Sequence, residues 1–533
     1  MATPRHHTPP GEIMPLPATN TEWPPRDWRP VLDDMNRWEA WWKGDTDSLH
    51  AIYADQTNTR KPARRTGIAG FASRFFWGRN NNDQARRPSR PDVHVPVATD
   101  LCTTSADLLY ADPPTITSDH QATEDRLGQY VNDGLLERLL EGAELGAVFG
   151  GRFQRVSWDT AISDRPFIST VAADVALPEF RWGHLTAVTF WTIIHSDYTG
   201  ILRHVERHEL DTQGNGHVYH ALYQGTTTNI GHPIPLQDHP ATEPLAAMVN
   251  TDGEIVDVIS PGLLVTYFPN VTPQRRWRHI PQAASLGRSD LDSGVEPLMD
   301  ALDEVYNSWM RDIRLGKARV FADENILETD ANGERVFDLD QEIYAPLSGI
   351  TGSLAGANGL PIHPSQFAIR VHEHAETAAD LMRRIIRAAR YSASTFGDDV
   401  TDADITATEV RARQATTITT RNRKIRLEKP ALQATLRKLL DVDRTVFGTA
   451  SLEPDTVSVD WPDLARDSSA QLAQTVSTLK NAELLSTKIA VQMIHPDWSQ
   501  EDVDAEVARI SEDSPITSPD DWHDSGHDID ERR

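Results

Sequence analysis

Two amphipathic segments with a β-rich stretch between them constrain this chain most. Ser293-Gly294-Val295-Glu296 has capping-box spacing and predicts a helix start. Behind it Leu298, Leu302, Val305, Trp309 and Ile313 form an apolar stripe, and Gly316 ends the run. A second stripe, Ala378, Leu381, Ile385 and Ala389, predicts a helix over about 373–391. Between them Ala318 to Ala322, Ile326 to Thr329 and Arg335 to Leu339 read as strands, with Asn332-Gly333 as the hairpin turn. A loop with Gly349, Gly352, Gly356 and Gly359 follows. The two helices are expected to stand side by side, with the strand-containing insertion between them.

The rest of the 533 residues is too much for one simple core. Residues 1 to about 30 read as a Pro-rich arm. Trp38, Trp41, Trp42, Leu49 and Tyr53 suit one helical face, broken at Gly44-Asp45. Asp100 to Tyr110 is predicted helical up to the Pro113-Pro114 breaker, and Glu124 to Ala147 forms one long helix ended by Gly150-Gly151. Strands are expected over Phe153–Trp158, Ile168–Ala172, Ala187–Ile194, Leu202–His208, Val218–Tyr223 and Leu263–Phe268. Thr406-Ala407-Thr408-Glu409 is a second capping box, opening a helix that runs to Phe447 with a kink at Pro430. Its stripe is Ile418, Ile425, Leu432 and Leu439, at heptad spacing. A strand over Thr456–Val459 and helices near Ser468–Leu485 and Gln500–Ile510 come next, then an acidic tail that reads as disordered.

The formal charge is −27, which argues against a protein that coats nucleic acid over its whole surface. The single cysteine, Cys102, excludes an internal disulfide and reads as a small buried apolar residue. No signal-peptide core is seen in Met1 to Asn20, and no run is long enough to span a bilayer, so no membrane partner is expected. Two basic regions stand against the acidic average. Residues 60–90 hold nine basic residues and one acid, interleaved with Phe71, Phe75, Phe76 and Trp77. They suit stacking on nucleic acid, but an arm packed on a neighbouring subunit's acidic surface is the preferred reading. The long helix after Thr406 carries ten basic residues against four acids. At about 100° per residue they spread around the helix, which suits acidic neighbours in a ring at least as well as DNA.

Motifs for chemistry are sparse. Gly316-Lys317-Ala318 lacks the upstream glycine and the Ser/Thr of a P-loop, and no Gly-x-Ser-x-Gly elbow occurs. His204, Glu206 and His208 would share one face of a strand and reach a metal, and His372-Glu373-His374 is a weaker version. The bland reading of both is solvent-facing polar residues. Asp290, Asp292, Asp300, Asp303 and Glu304 invite a two-metal nuclease reading, but Asp300, Asp303 and Glu304 have the spacing of a solvated helix face. A metal-dependent nuclease or hydrolase is therefore the alternative, and no catalytic residue, metal or cofactor is assigned.

Several stretches together resemble the portal proteins of tailed bacteriophages, in particular the long-chain portals of actinobacterial phages. They are Trp41-Trp42-Lys43-Gly44-Asp45; Val93-His94-Val95-Pro96-Val97-Ala98 leading into Ser105-Ala106-Asp107-Leu108-Leu109-Tyr110; Leu177-Pro178-Glu179-Phe180; Arg203 to His208; and Gly287-Arg288-Ser289-Asp290 followed by Asp300 to Glu304 and Trp309-Met310-Arg311-Asp312. The resemblance spans about 38–510 and rests on the order of these stretches. It implies an α+β portal fold with a wing, a stem of two helices, a clip and a helical crown. It gives an N-terminal arm and basic segment over 1–92, a wing over 93–292, stem helices at 293–317 and 371–393 and a clip over 318–370. A tunnel loop and long kinked helix then span 394–448, a return strand to the wing 449–464, a crown 465–515 and a disordered tail 516–533. The family forms a non-enzymatic ring, usually of twelve subunits, at one capsid vertex of the virion. Double-stranded DNA passes through it for packaging and ejection, and assembly takes place in the host cytoplasm. Implied partners are the terminase large subunit, the major capsid protein and head-completion or adaptor proteins. The expected channel-facing residues are Asp398, Asp399, Asp402 and Asp404 of the tunnel loop, whose acidity would repel phosphates and let DNA glide. The expected partner-binding clip residues are Asp323, Glu324, Asn332 and Gly333. Another capsid or scaffold component is a further alternative. The basic segment 60–90 has no family role.

Overall fold

The computed structural model describes residues 16–49, 51, 93–198, 200–255, 260–292, 294–315, 369–397, 407–462, 476–482, 484–495, 498 and 500–513. It also describes the short strands at 319–322, 328–329, 335–336 and 362–365. The chain divides into two compact units, one of residues 1–400 and 414–462, the other of 401–413 and 463–533.

In the larger unit the first helix, α1 (Arg29–Lys43), carries Pro30 in its first turn and ends at Gly44. Gly44 has φ +63°, a left-handed cap that glycine adopts without strain. Its inner face buries Val31, Met35, Trp38 and Trp41, and Trp38 packs on Trp277 with ring centroids 5.4 Å apart. α2 (Val97–Tyr110) follows, with Cys102 fully buried. The single helix expected over 124–147 is two, α3 (Gln121–Asn132) and α4 (Leu135–Phe149). Gly134, at φ +83°, takes a conformation no helix interior allows, so the apolar stripe continues across a break. Gly150 ends α4 at φ +85°, and a Cβ there would lie 2.7 Å from the Gly287 carbonyl.

Two antiparallel sheets follow. One has the order β10 (Val265–Pro269), β2 (Gly151–Ser157), β3 (Phe167–Ala172). The other runs β4 (Ala176–Arg181), β5 (His184–Asp197), β6 (Gly200–Leu210), β7 (Asn215–Gly225), β8 (His232–Ile234), with β9 (Ser260–Pro261) also on β7. The sequence missed β4, whose Pro178 reads as a breaker; its place on the sheet edge tolerates proline. It also missed β1 (Thr115–Ser118), which pairs antiparallel with β15 (Val457–Asp460) and ties the beginning of this body to its end.

α5 (Val295–Leu315) and α6 (Val371–Ala388) bracket the strand pairs β11 (Arg319–Ala322) with β14 (Ile362–Ser365) and β12 (Glu328–Thr329) with β13 (Arg335–Val336). The long helix α7 (Ala407–Val446) keeps Pro430 inside a continuous helix. Two apolar clusters organise the unit. One joins α1, α2, the six-stranded sheet and the inner ends of α5 and α6 through Val295, Met299, Leu302, Ile385 and Ile386. The other joins α2, α3, α4 and β15 to Leu432, Leu436, Leu439 and Leu440 of α7.

In the smaller unit the described elements include α8 (Thr487–Ile494), which the sequence did not show, and α9 (Gln500–Asp513). Ser486 caps α8, and Lys488 reaches Asp504 of α9 at 2.6 Å. Tyr53, the basic segment 60–90 and the acidic tail 516–533 lie outside the described residues.

Candidate functional site

α5 and α6 form an antiparallel hairpin. Asp312, near the end of α5, accepts from Arg370 just before α6 at 2.9 Å and contacts His374 Nε2 in its first turn at 3.0 Å. His374, then Arg370, hold the Asp312 carboxyl below its usual range. The His374 ring lies over Trp309 at 6.0 Å, nearly parallel. These contacts come from the His372-Glu373-His374 stretch, where His372 is exposed and His374 is a clasp between helices rather than a solvent-facing group. Beyond the hairpin the chain continues antiparallel, Arg319 opposite Ser365 and Ala322 opposite Ile362. Asp323 and Glu324 follow β11 directly, and Asn332 and Gly333 fall between the paired β12 and β13. All four lie outside the described residues, as do Asp398, Asp399, Asp402 and Asp404.

The root of the hairpin is closed by buried charge. Asp290 stands just before α5 and Tyr391 just after α6, and the Tyr391 hydroxyl donates to Asp290 Oδ2 at 3.1 Å. Lys424 of α7 donates to the same oxygen at 2.6 Å and to Ser105 of α2. Asn270 donates to Asp290 Oδ1 at 2.9 Å. One turn on, Glu428 accepts from Arg152 of β2 and from the Tyr110 hydroxyl at 2.5 Å. One turn back, Arg421 donates to the carbonyls of Leu108 and Pro462 at 2.6 and 3.0 Å. Farther along, Asp443 is held by Arg126 at 2.6 and 2.9 Å and by Tyr130 at 2.6 Å.

The inner face of α7 therefore buries Arg421, Lys424 and Glu428, then the leucines Leu432, Leu436, Leu439 and Leu440, and last the carboxylate of Asp443. For two of its ten basic residues this corrects the expectation of contacts to neighbouring chains or DNA: Arg421 and Lys424 are 2 and 3% exposed and are matched within the chain. Burial, then the Asp290 charge, pushes the Tyr391 hydroxyl well above its ordinary value, and burial with Glu428 does the same to Tyr110. Burial opposes the charge of Arg152, but Glu428 outweighs it and the pKa rises. Asp303 is a second correction. It is 3% exposed rather than solvated, because His94 Nδ1 at 2.8 Å and the Val95 amide at 3.0 Å satisfy it.

On the candidate metal face of β6, Glu206 and His208 are buried and His204 is half-buried. One Glu206 oxygen accepts from Arg155, and the other meets His208 Nε2 at 2.5 Å. His204 stacks on His220 of β7, with His204 Nε2 3.1 Å from His220 Nδ1. Burial works against the Glu206 charge, but Arg155 and His208 hold its carboxyl well below the ordinary range; burial pushes His220 down to about 4. The cluster lines a cleft of about 1020 Å³ with Phe190, Trp191 and Leu245. Among the described residues no three His, Cys, Asp or Glu side chains are arranged to hold a metal ion. The Glu206 oxygens are already engaged, so the arrangement supports a packed polar joint between β2 and β6.

No curated protein matches the chain. Among solved structures it is similar to the one described as "Neck of native GTA particle computed with C12 symmetry", at 12% identity and a TM-score of 0.35, over 75% of this chain and 89% of that one. Residues 286–516 match the family model "Phage portal protein, SPP1 Gp6-like". That stretch opens at Leu286, four residues before the root carboxylate Asp290, and takes in the hairpin, the strand pairs and α7. Over these residues the chain is similar to the phage portal proteins of the SPP1 Gp6-like family.

Proposed function

We propose that this chain is the repeating subunit of a closed ring, twelve copies around an axis, set at one vertex of the capsid with an open channel for double-stranded DNA during packaging and ejection. The observation that carries this reading is the antiparallel hairpin α5–α6, rooted in a buried ion-pair joint and extended by β11 and β14, inside the stretch that matches the portal family. A hairpin with one face in its own core and one face outside suits side-by-side packing with further copies. The division into wing, stem, clip, tunnel loop and crown follows the boundaries expected from the sequence. Asp398, Asp399, Asp402 and Asp404 then face the channel. Asp323, Glu324, Asn332 and Gly333 of the clip meet the terminase large subunit and later the head-completion proteins, while the outer body meets the major capsid protein. Assembly takes place in the host cytoplasm, and we assign the chain no catalytic step. Electron microscopy of the purified protein tests this. Rings with a central hole are the expected result, and a monomer that cleaves DNA with magnesium or zinc would overturn it in favour of a nuclease.

A further inference from the structure

The hairpin carries two stripes of opposite charge at one level. Asp312 meets His374, and in an antiparallel pair each residue forward along α5 is matched by one residue back along α6, both rising about 1.5 Å per residue. Glu304 therefore stands level with Met382, and Asp300 with Ile386. The exposed side of α6 at that level holds Arg383 and Arg387, one turn apart, with Arg390 beyond them. Arg384 is paired with Asp380 at 2.7 Å, whereas Arg383, Arg387 and Arg390 make no ion pair among the described residues. Glu304 is likewise exposed and without an ion pair among the described residues. At the opposite end Ile313 and Val371 stand level with each other, 38 and 50% exposed, although both are large and apolar.

We propose that α6 of one copy docks against α5 of the next, Arg383 and Arg387 meeting Glu304, with Asp300 one turn away. This rests on the ring reading above and names its contact. Unlike charges on the two helices of one hairpin make its two sides complementary to each other, which is what a head-to-tail contact that closes into a ring requires. The same packing covers Ile313 and Val371.

Charge reversal in the full chain tests the contact by sedimentation velocity. Arg383→Glu with Arg387→Glu is expected to lower the ring population about tenfold or more where the wild type is fully assembled, because it sets like charges face to face. Adding Glu304→Arg and Asp300→Arg to the same chain is expected to restore the rings. Rings unaffected by the reversal would overturn the contact while leaving the ring reading intact. A wild type that forms no rings would overturn the ring reading and the contact with it. Intact rings that lose affinity for a duplex oligonucleotide would overturn the contact and give the arginines to DNA. If the reversed chain melts below the wild type, cross-linking decides. Arg383→Cys and Glu304→Cys chains, each in a Cys102→Ser background, are mixed and oxidised. A disulfide-linked dimer supports the contact, and assembled rings without it overturn it.

Discussion

Replacing Lys424 with Met keeps most of its volume and removes its charge. Asp290 is 7% exposed, and its remaining partners would be the neutral Tyr391 hydroxyl and Asn270 amide. Breaking a buried ion pair from one side costs about 3–5 kcal/mol, since an uncompensated charge stays behind. Against the roughly 5–15 kcal/mol that holds a folded domain together, that is a large fraction. The Ser105 hydroxyl also loses its donor. Urea unfolding of the purified subunit reads the loss. Adding Asp290→Asn removes the orphan carboxylate, and the double variant should recover at least about half of it, the coupling expected of residues in direct contact. A loss below about 1 kcal/mol, or a double variant no better than Lys424→Met alone, would refute the claim that this pair closes the hairpin root.

Three further outcomes follow from packing and burial. Trp38→Ala empties a fully covered site against Trp277 and should cost about 3–5 kcal/mol in the same unfolding assay. Gly150→Ala forces a side chain into a left-handed position 2.7 Å from a carbonyl, and should destabilise by more than about 1 kcal/mol. His220 has a folded pKa of about 4 against an ordinary 6.5, so the unfolded chain takes up the proton first. Its contribution is complete above about pH 6.5 and is lost as the pH falls toward 4, at most roughly 3 kcal/mol. Measured as stability against pH, the slope in that window should flatten in His220→Gln.

The hairpin was legible because its stripes repeat at 3.6 residues, and because Asn332-Gly333 marks a turn between strands that do pair. α7 was legible as a helix but misread as a surface. Periodicity treats Arg421, Lys424 and Glu428 as polar and therefore outward, and their partners are far away in sequence: Leu108, Asp290 and Arg152. Such a face becomes apolar in effect only after the chain has folded. Asp303 hid for the same reason, its ligands lying more than two hundred residues earlier at His94 and Val95. The break at Gly134 was missed because Leu127, Leu135 and Leu139 are buried on both sides of it, so the stripe survives the turn. The tunnel-loop and clip residues rest on the family resemblance.

Native mass spectrometry of the full chain puts the central claim to its most direct test. A hairpin whose two sides match each other should give one closed species of twelve subunit masses, unchanged on dilution until it dissociates. A subunit that stays monomeric at every concentration, or an open-ended ladder of oligomers, would contradict it.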